Sequence, residues 1–158
     1  MPALSRSIED NTLDGTISLL GGQKTLGRPV TDDYQAHDLI VAGLPVRAAL
    51  QLISSLDLLP TDPSWPRPLG ASRTTVARWK NAPAASRLSR THSARTWVLA
   101  ATLIRAARVL GSQRDAERWL MAHIPALDHR RPVDLLATPM GVKLLADHLL
   151  RLKEGVYT

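Results

Sequence analysis

The chain has no cysteine and no phenylalanine, and aromatic residues make up only 4% of it. The first absence excludes disulfides, thiolate zinc sites and a cysteine nucleophile, and it fits a reducing compartment. The second leaves the apolar content, 44% of 158 residues, largely to leucine and alanine. Both are strong helix formers, so an all-α fold is expected. No apolar run approaches the roughly 20 residues that a membrane span needs, and no membrane partner is expected. A secretory leader is not visible either, because the opening residues carry Glu9, Asp10 and Asp14 in place of a basic start and an apolar run. The expected localisation is cytoplasmic. A phosphate-cradling loop is missing as well: Gly21-Gly22 runs into Gln23-Lys24, with no Lys-Ser or Lys-Thr behind it.

Acidic residues are absent from one long stretch. Between Pro63 and Arg114 there are ten basic residues and no acidic one. Residues 1–62 hold four basic and eight acidic residues, and residues 115–158 six of each, so the three blocks carry −4, +10 and 0, which sum to +6. A block this one-sided reads as an electrostatic footprint for nucleic acid, since releasing counterions from phosphates rewards clustered Lys and Arg. A basic solvated surface, or one facing an acidic partner, would carry the same signal.

Catalytic and metal sets are also missing. The histidines are His37, His92, His123, His129 and His148; no two stand four apart on one predicted helix, and none sits in a zinc signature. His123 and His129, near Asp128, read as surface residues beside a turn. No enzyme activity, cofactor or metal is expected.

What the chain does hold is helix punctuation. Residues 1–30 are poorly periodic, with Asp14-Gly15 and Gly21-Gly22, and are expected to form a mobile arm. Thr31 is the expected cap of a helix to about Ala42, stopped by Gly43. Pro45 opens another to about Leu56, with Val46, Ala49, Leu50 and Ile53 inward. Pro60, Pro63, Pro66 and Pro68 then interrupt around Trp65, which predicts turns or extended chain packed as an insertion. Gly70 makes a turn and Ser72 caps a short helix over 73–80, burying Val76 and Trp79. The outward set Ser72, Arg73, Thr74, Thr75, Arg78 and Lys80 has the chemistry of a recognition helix: short polar and Arg side chains for base edges, further cations for phosphates. The helix that should brace it is either the one at 46–56, across a long loop, or is lost to the prolines.

Ser89 or Thr91 starts a long helix to Leu110, ended by Gly111, in which only Thr102, Arg105 and Arg108 interrupt the apolar run after Trp97. Ser112 and Asp115 resemble a capping box for a helix to about His123, with Trp119 and Leu120 as core. Pro125 ends it. Pro132 opens a short helix, Thr138-Pro139 opens the last one, and Gly155 closes it. Val142, Leu145, Leu149 and Leu152, with Leu144 beside them, form the expected inner face.

The literal residues of this last third go further. Ala116-Glu117-x-Trp119-Leu120, Pro125-Ala126-Leu127, Arg131-Pro132-x-Asp134-Leu135-Leu136-x-Thr138, Gly141 and Gly155-Val156-Tyr157 occur in an order that resembles the toxin-binding domain of the Xre/MbcA/ParS antitoxin family. The run Leu69-Gly70-x-Ser72-Arg73-x-Thr75 resembles the start of that family's recognition helix. The resemblance implies a toxin–antitoxin pair whose toxin is a RES-domain protein that attacks NAD. It implies a helix-turn-helix-like part at 31–95 and a toxin-binding part at 96–158, sharing the central helix. Toxin contacts would come from Arg130, Arg131, Arg151, Gly155, Val156 and Tyr157, laid over the toxin's NAD cleft. The further partners implied are operator DNA, through which the operon is autorepressed, a second copy in a homodimer, and the toxin in a hetero-oligomer; on DNA the protein would be nucleoid-associated. The competing expectation is a stand-alone helix-turn-helix regulator whose C-terminal part only dimerises.

Overall fold

The computed structural model describes residues 12–155, and every regular element among them is helical. Residues 12–19 form α1, followed by α2 (Gly22–Leu26), α3 (Asp33–Ala42), α4 (Val46–Ser55), α5 (Arg73–Lys80), α6 (Arg90–Leu110), α7 (Gln113–Met121), α8 (Pro132–Leu135) and α9 (Pro139–Lys153). Short 3-10 turns lie at Leu59–Thr61, Arg67–Leu69 and Pro125–Leu127. No described helix is long and apolar enough to cross a membrane.

Local chemistry sets most of the boundaries. The side chains of Asp32, Ser72, Ser89, Ser112 and Thr138 each accept a hydrogen bond from the amide three residues on, at the starts of α3, α5, α6, α7 and α9. At α3 the cap is thus Asp32, one residue after the expected Thr31, whose own amide and hydroxyl both reach the Gln35 side chain. Gly111, at φ 109°, ends α6, and Gly155, at φ 74°, follows α9.

The spine is α6. It packs against α3, α4, α7 and α9, and against the turn at 67–69. Leu99, Ala100, Leu103 and Ala106 on it are fully enclosed. Residue 95, the expected end of the first part, lies inside this helix, so both parts share one core.

Residues 12–30 are not an arm. Leu13, Ile17, Leu20, Leu26 and Val30 all join the core, and Gln23 pins the chain by bonding both the amide and the carbonyl of Val30. The spacing 13, 17, 20 is helical, but Asp14-Gly15 and the polar residues around it dilute the pattern. Packing overrides the poor local signal.

The proline-rich stretch is turned inward rather than laid over the surface. Leu59, Trp65, Pro66, Pro68 and Leu69 are buried, and the Trp65–Pro66 peptide is cis. Two carboxylates organise it. Glu117 of α7, wholly buried, accepts from the amides of Asp57, Leu58 and Leu59 at 2.9–3.2 Å. Asp62 accepts from the amide and hydroxyl of Ser64 and from Arg131. Arg95 on α6 donates to the carbonyls of Arg67 and Pro68, and His92 meets that of Gly70. The chain thereby reaches α5, which packs on α4, the first of the two alternatives expected for its brace.

Candidate functional site

Two faces of the folded chain hold the expected binding residues. The first is α9. Gly141 lets it lie close on α8: a Cβ there would stand 1.9 Å from the Leu135 carbonyl oxygen. Leu145, His148 and Leu149 face the core, and His148 stacks flat on Trp119, with ring centroids 6.1 Å apart. Burial first, then the charge of Arg151, pushes the His148 imidazole below its ordinary pKa.

The outward side of α9 is apolar where a surface helix should be polar. Met140 is 66% exposed, Leu144 48% and Leu150 53%. Leu144 therefore leaves the inner face expected for it, and the buried place beside Leu145 goes to His148. Steps of four, three and four residues put Met140, Leu144, Asp147 and Arg151 in one stripe along the helix. Among the described residues the exposed large apolar side chains are Tyr34, Val41, Met140, Leu144 and Leu150, and three of these five lie on α9. Met140 and Leu144 were not among the expected site residues; the stripe spacing was the available signal.

The expected toxin-contacting residues are not gathered at one point. Arg151 is exposed on the stripe, and Gly155 is exposed just past the helix end. Arg130 is exposed and lies 3.7 Å from Asp128, beside a turn where Asp128 and His129 both take positive φ. Arg131 is enclosed, its side chain 19% exposed, and its guanidinium bonds Asp62 at 2.5 Å and Asp134 at 3.0 Å. The Asp134 hydrogen bond, helped by Asp62 and opposed by burial, raises the Arg131 pKa. Ser64 first, with Arg131 adding to it, holds the Asp62 carboxyl below its usual range despite burial. Arg131 thus ties the start of α8 to the proline-rich stretch. Val156 and Tyr157 lie outside the described residues.

The second face is α5. Val76 and Trp79 are buried, the latter edge-on to His92. Arg73, Thr74, Ala77, Arg78, Lys80 and Asn81 are exposed. Ser72 and Thr75 are committed locally: the Ser72 hydroxyl accepts from the Thr75 amide and contacts its hydroxyl, which Arg78 also reaches at 3.4 Å. Among the described residues Arg73, Arg78 and Lys80 form no ion pair.

No curated protein matches the chain. Residues 105–155, about a third of the chain, match the family described as the antitoxin Xre/MbcA/ParS C-terminal toxin-binding domain. That span begins in the second half of α6 and takes in α7, α8 and all of α9 with its exposed stripe. The C-terminal segment is therefore similar to an antitoxin's toxin-binding domain, which supports an antitoxin role with a toxin as partner.

Proposed function

We propose that this chain is the antitoxin of a toxin–antitoxin pair, that its toxin is a RES-domain protein acting on NAD, and that it silences the toxin by covering the NAD cleft. The observation that carries the reading is the coincidence of the matched span with the exposed apolar side of α9. A non-enzymatic inhibitor needs a desolvatable patch with a few charges to set its register. Met140 and Leu144 supply the patch, and Asp147 and Arg151 supply the charges. In the sequence Gly155, Val156 and Tyr157 come next, and the Tyr157 ring and hydroxyl make it the best anchor of that tail. Arg130 adds a second exposed cation, and Arg131 contributes through the clamp it forms.

The α5 face is the proposed operator-binding element, and autorepression by a homodimer is the proposed role for it. Support comes from the N-capped helix packed on α4 and from three cations that form no ion pair among the described residues, on a stretch that holds no acid. A two-fold protein on a palindromic operator is the geometry such a helix serves.

The test is co-expression with the product of the neighbouring reading frame, followed by co-purification and a cellular NAD measurement. The expected result is a stable complex, with NAD falling only when this chain is omitted. A chain that binds upstream DNA while forming no complex and leaving NAD unchanged would be a stand-alone regulator instead.

A further inference from the structure

A groove of about 510 Å³ runs between α1, the start of α3, α6 and the second half of α9. Its volume lies in the range of clefts that hold a small ligand, so it has room for a partner's side chain. Leu13 of α1, Trp97 of α6 and Leu150 of α9 give it apolar walls. Arg105 and Lys153 stand on its lining, with Asp147 near them. Arg108 donates to the Thr12 hydroxyl at 2.6 Å and fastens α1 to this side of α6.

Three observations say what covers it. The groove is continuous with the α9 stripe, because Asp147 belongs to both. Its α6 and α9 walls, from Arg105 onward, fall in the span that matches a toxin-binding domain, whereas α1 and Trp97 lie outside that span. Arg105 and Lys153 on its lining form no ion pair among the described residues, so a carboxylate on the visitor can pair with them. Leu150, 53% exposed on the wall, is an apolar side chain presented to whatever enters.

We infer that the groove receives an apolar side chain of the toxin with a carboxylate beside it, so that α1 forms part of the toxin-binding surface. The inference rests on the antitoxin reading above. The toxin footprint then wraps from Met140 and Leu144 over Leu150 and ends on the N-terminal helix. The apolar group displaces water from Leu13, Trp97 and Leu150, and its carboxylate pairs with Arg105 and Lys153.

The test uses the full chain and the purified product of the neighbouring reading frame. Dissociation constants are measured by calorimetry for the wild type, Leu150→Asp, Lys153→Glu and the double variant Met140→Asp/Leu144→Asp. Amide exchange over residues 12–19 is compared with and without the partner. Leu150 and Lys153 are exposed, so melting temperatures should not move and serve as the folding control. The expected result is at least a tenfold weakening for Leu150→Asp, a lesser one for Lys153→Glu, and slower exchange at residues 12–19 in the complex. A complex weakened by the Met140/Leu144 pair, yet insensitive to Leu150→Asp and unprotected at 12–19, overturns the groove while leaving the antitoxin reading intact. If the wild-type chain forms no complex, the antitoxin reading falls and the inference with it. If Leu150→Asp converts a dimer of this chain to monomer and leaves toxin affinity unchanged, the groove joins two copies and the inference is overturned.

Discussion

The helices α5 and α9 treat charge in opposite ways. On α5 the cations Arg73, Arg78 and Lys80 form no ion pair among the described residues, and residues 63–114 include no acid. In the last third, Arg118, Arg130 and Arg131 are each matched to an aspartate, the six cations are balanced by six acidic residues, and Met140, Leu144 and Leu150 add exposed apolar surface. Unpaired surface cations attract a polyanion at long range and lose their pull in salt. A bare apolar stripe acts only at contact and hardly responds to salt. One chain thus presents two surfaces of different chemistry, one net basic and one apolar with balanced charge.

The contrast depends on the two halves being locked together, and the largest effects should come from the locks. Glu117→Ala takes the acceptor from the amides of Asp57, Leu58 and Leu59, the last of them buried; at about 1–3 kcal/mol for an unsatisfied buried group, the loss should be roughly 3 kcal/mol by chemical denaturation. Gly141→Ala drives a methyl into the Leu135 carbonyl and should cost about 2–3 kcal/mol, read as a lower melting temperature. Both variants should damage toxin and DNA binding together, and a variant that spared either would show that the halves are less interdependent than their shared helix implies.

Surface changes should separate the two faces. Met140→Asp/Leu144→Asp should weaken the toxin complex by roughly ten- to a hundredfold, with stability and DNA binding unchanged. Arg73→Ala/Arg78→Ala should reduce binding to the upstream DNA and lower the magnitude of its salt slope by about 2, with toxin affinity unchanged. The smallest effect concerns pH. The folded state holds His148 below its ordinary pKa, so the unfolded chain takes up the proton first, and stability falls as pH drops below about 6.5. His148→Phe should keep the stack on Trp119 and show a smaller fall in melting temperature between pH 7.5 and 5.5. An equal fall in both proteins would place the sensitivity elsewhere.

Much of the helical layout is legible in short signals. Ser72, Ser89, Ser112 and Thr138 mark helix starts because a cap is a contact over three residues, and Gly111 and Gly155 mark ends because the required φ is local. What the sequence hides is long-range. Glu117 looks like a surface residue of an amphipathic helix, yet it binds amides 58 to 60 positions away. Arg131 sits in a motif that invites a partner contact, and its partner Asp62 lies 69 residues back in the chain. His148 takes a buried place that no local pattern marks, because the close seating of α9 on α8 at Gly141 brings its ring against Trp119, across 29 residues of chain.

The fastening of the proline-rich stretch also has a direction in time. A chain leaving the ribosome exposes α4, the stretch from 57 to 72, and α5 before Glu117 and Arg131 have been synthesised. At roughly 5–20 residues per second, that interval lasts several seconds. During it the amides of Asp57, Leu58 and Leu59 have water for acceptors, and Leu59, Trp65 and Leu69 lack the walls that later enclose them. The order of synthesis therefore delays the settled placement of α5 until the segment similar to the toxin-binding domain has largely emerged.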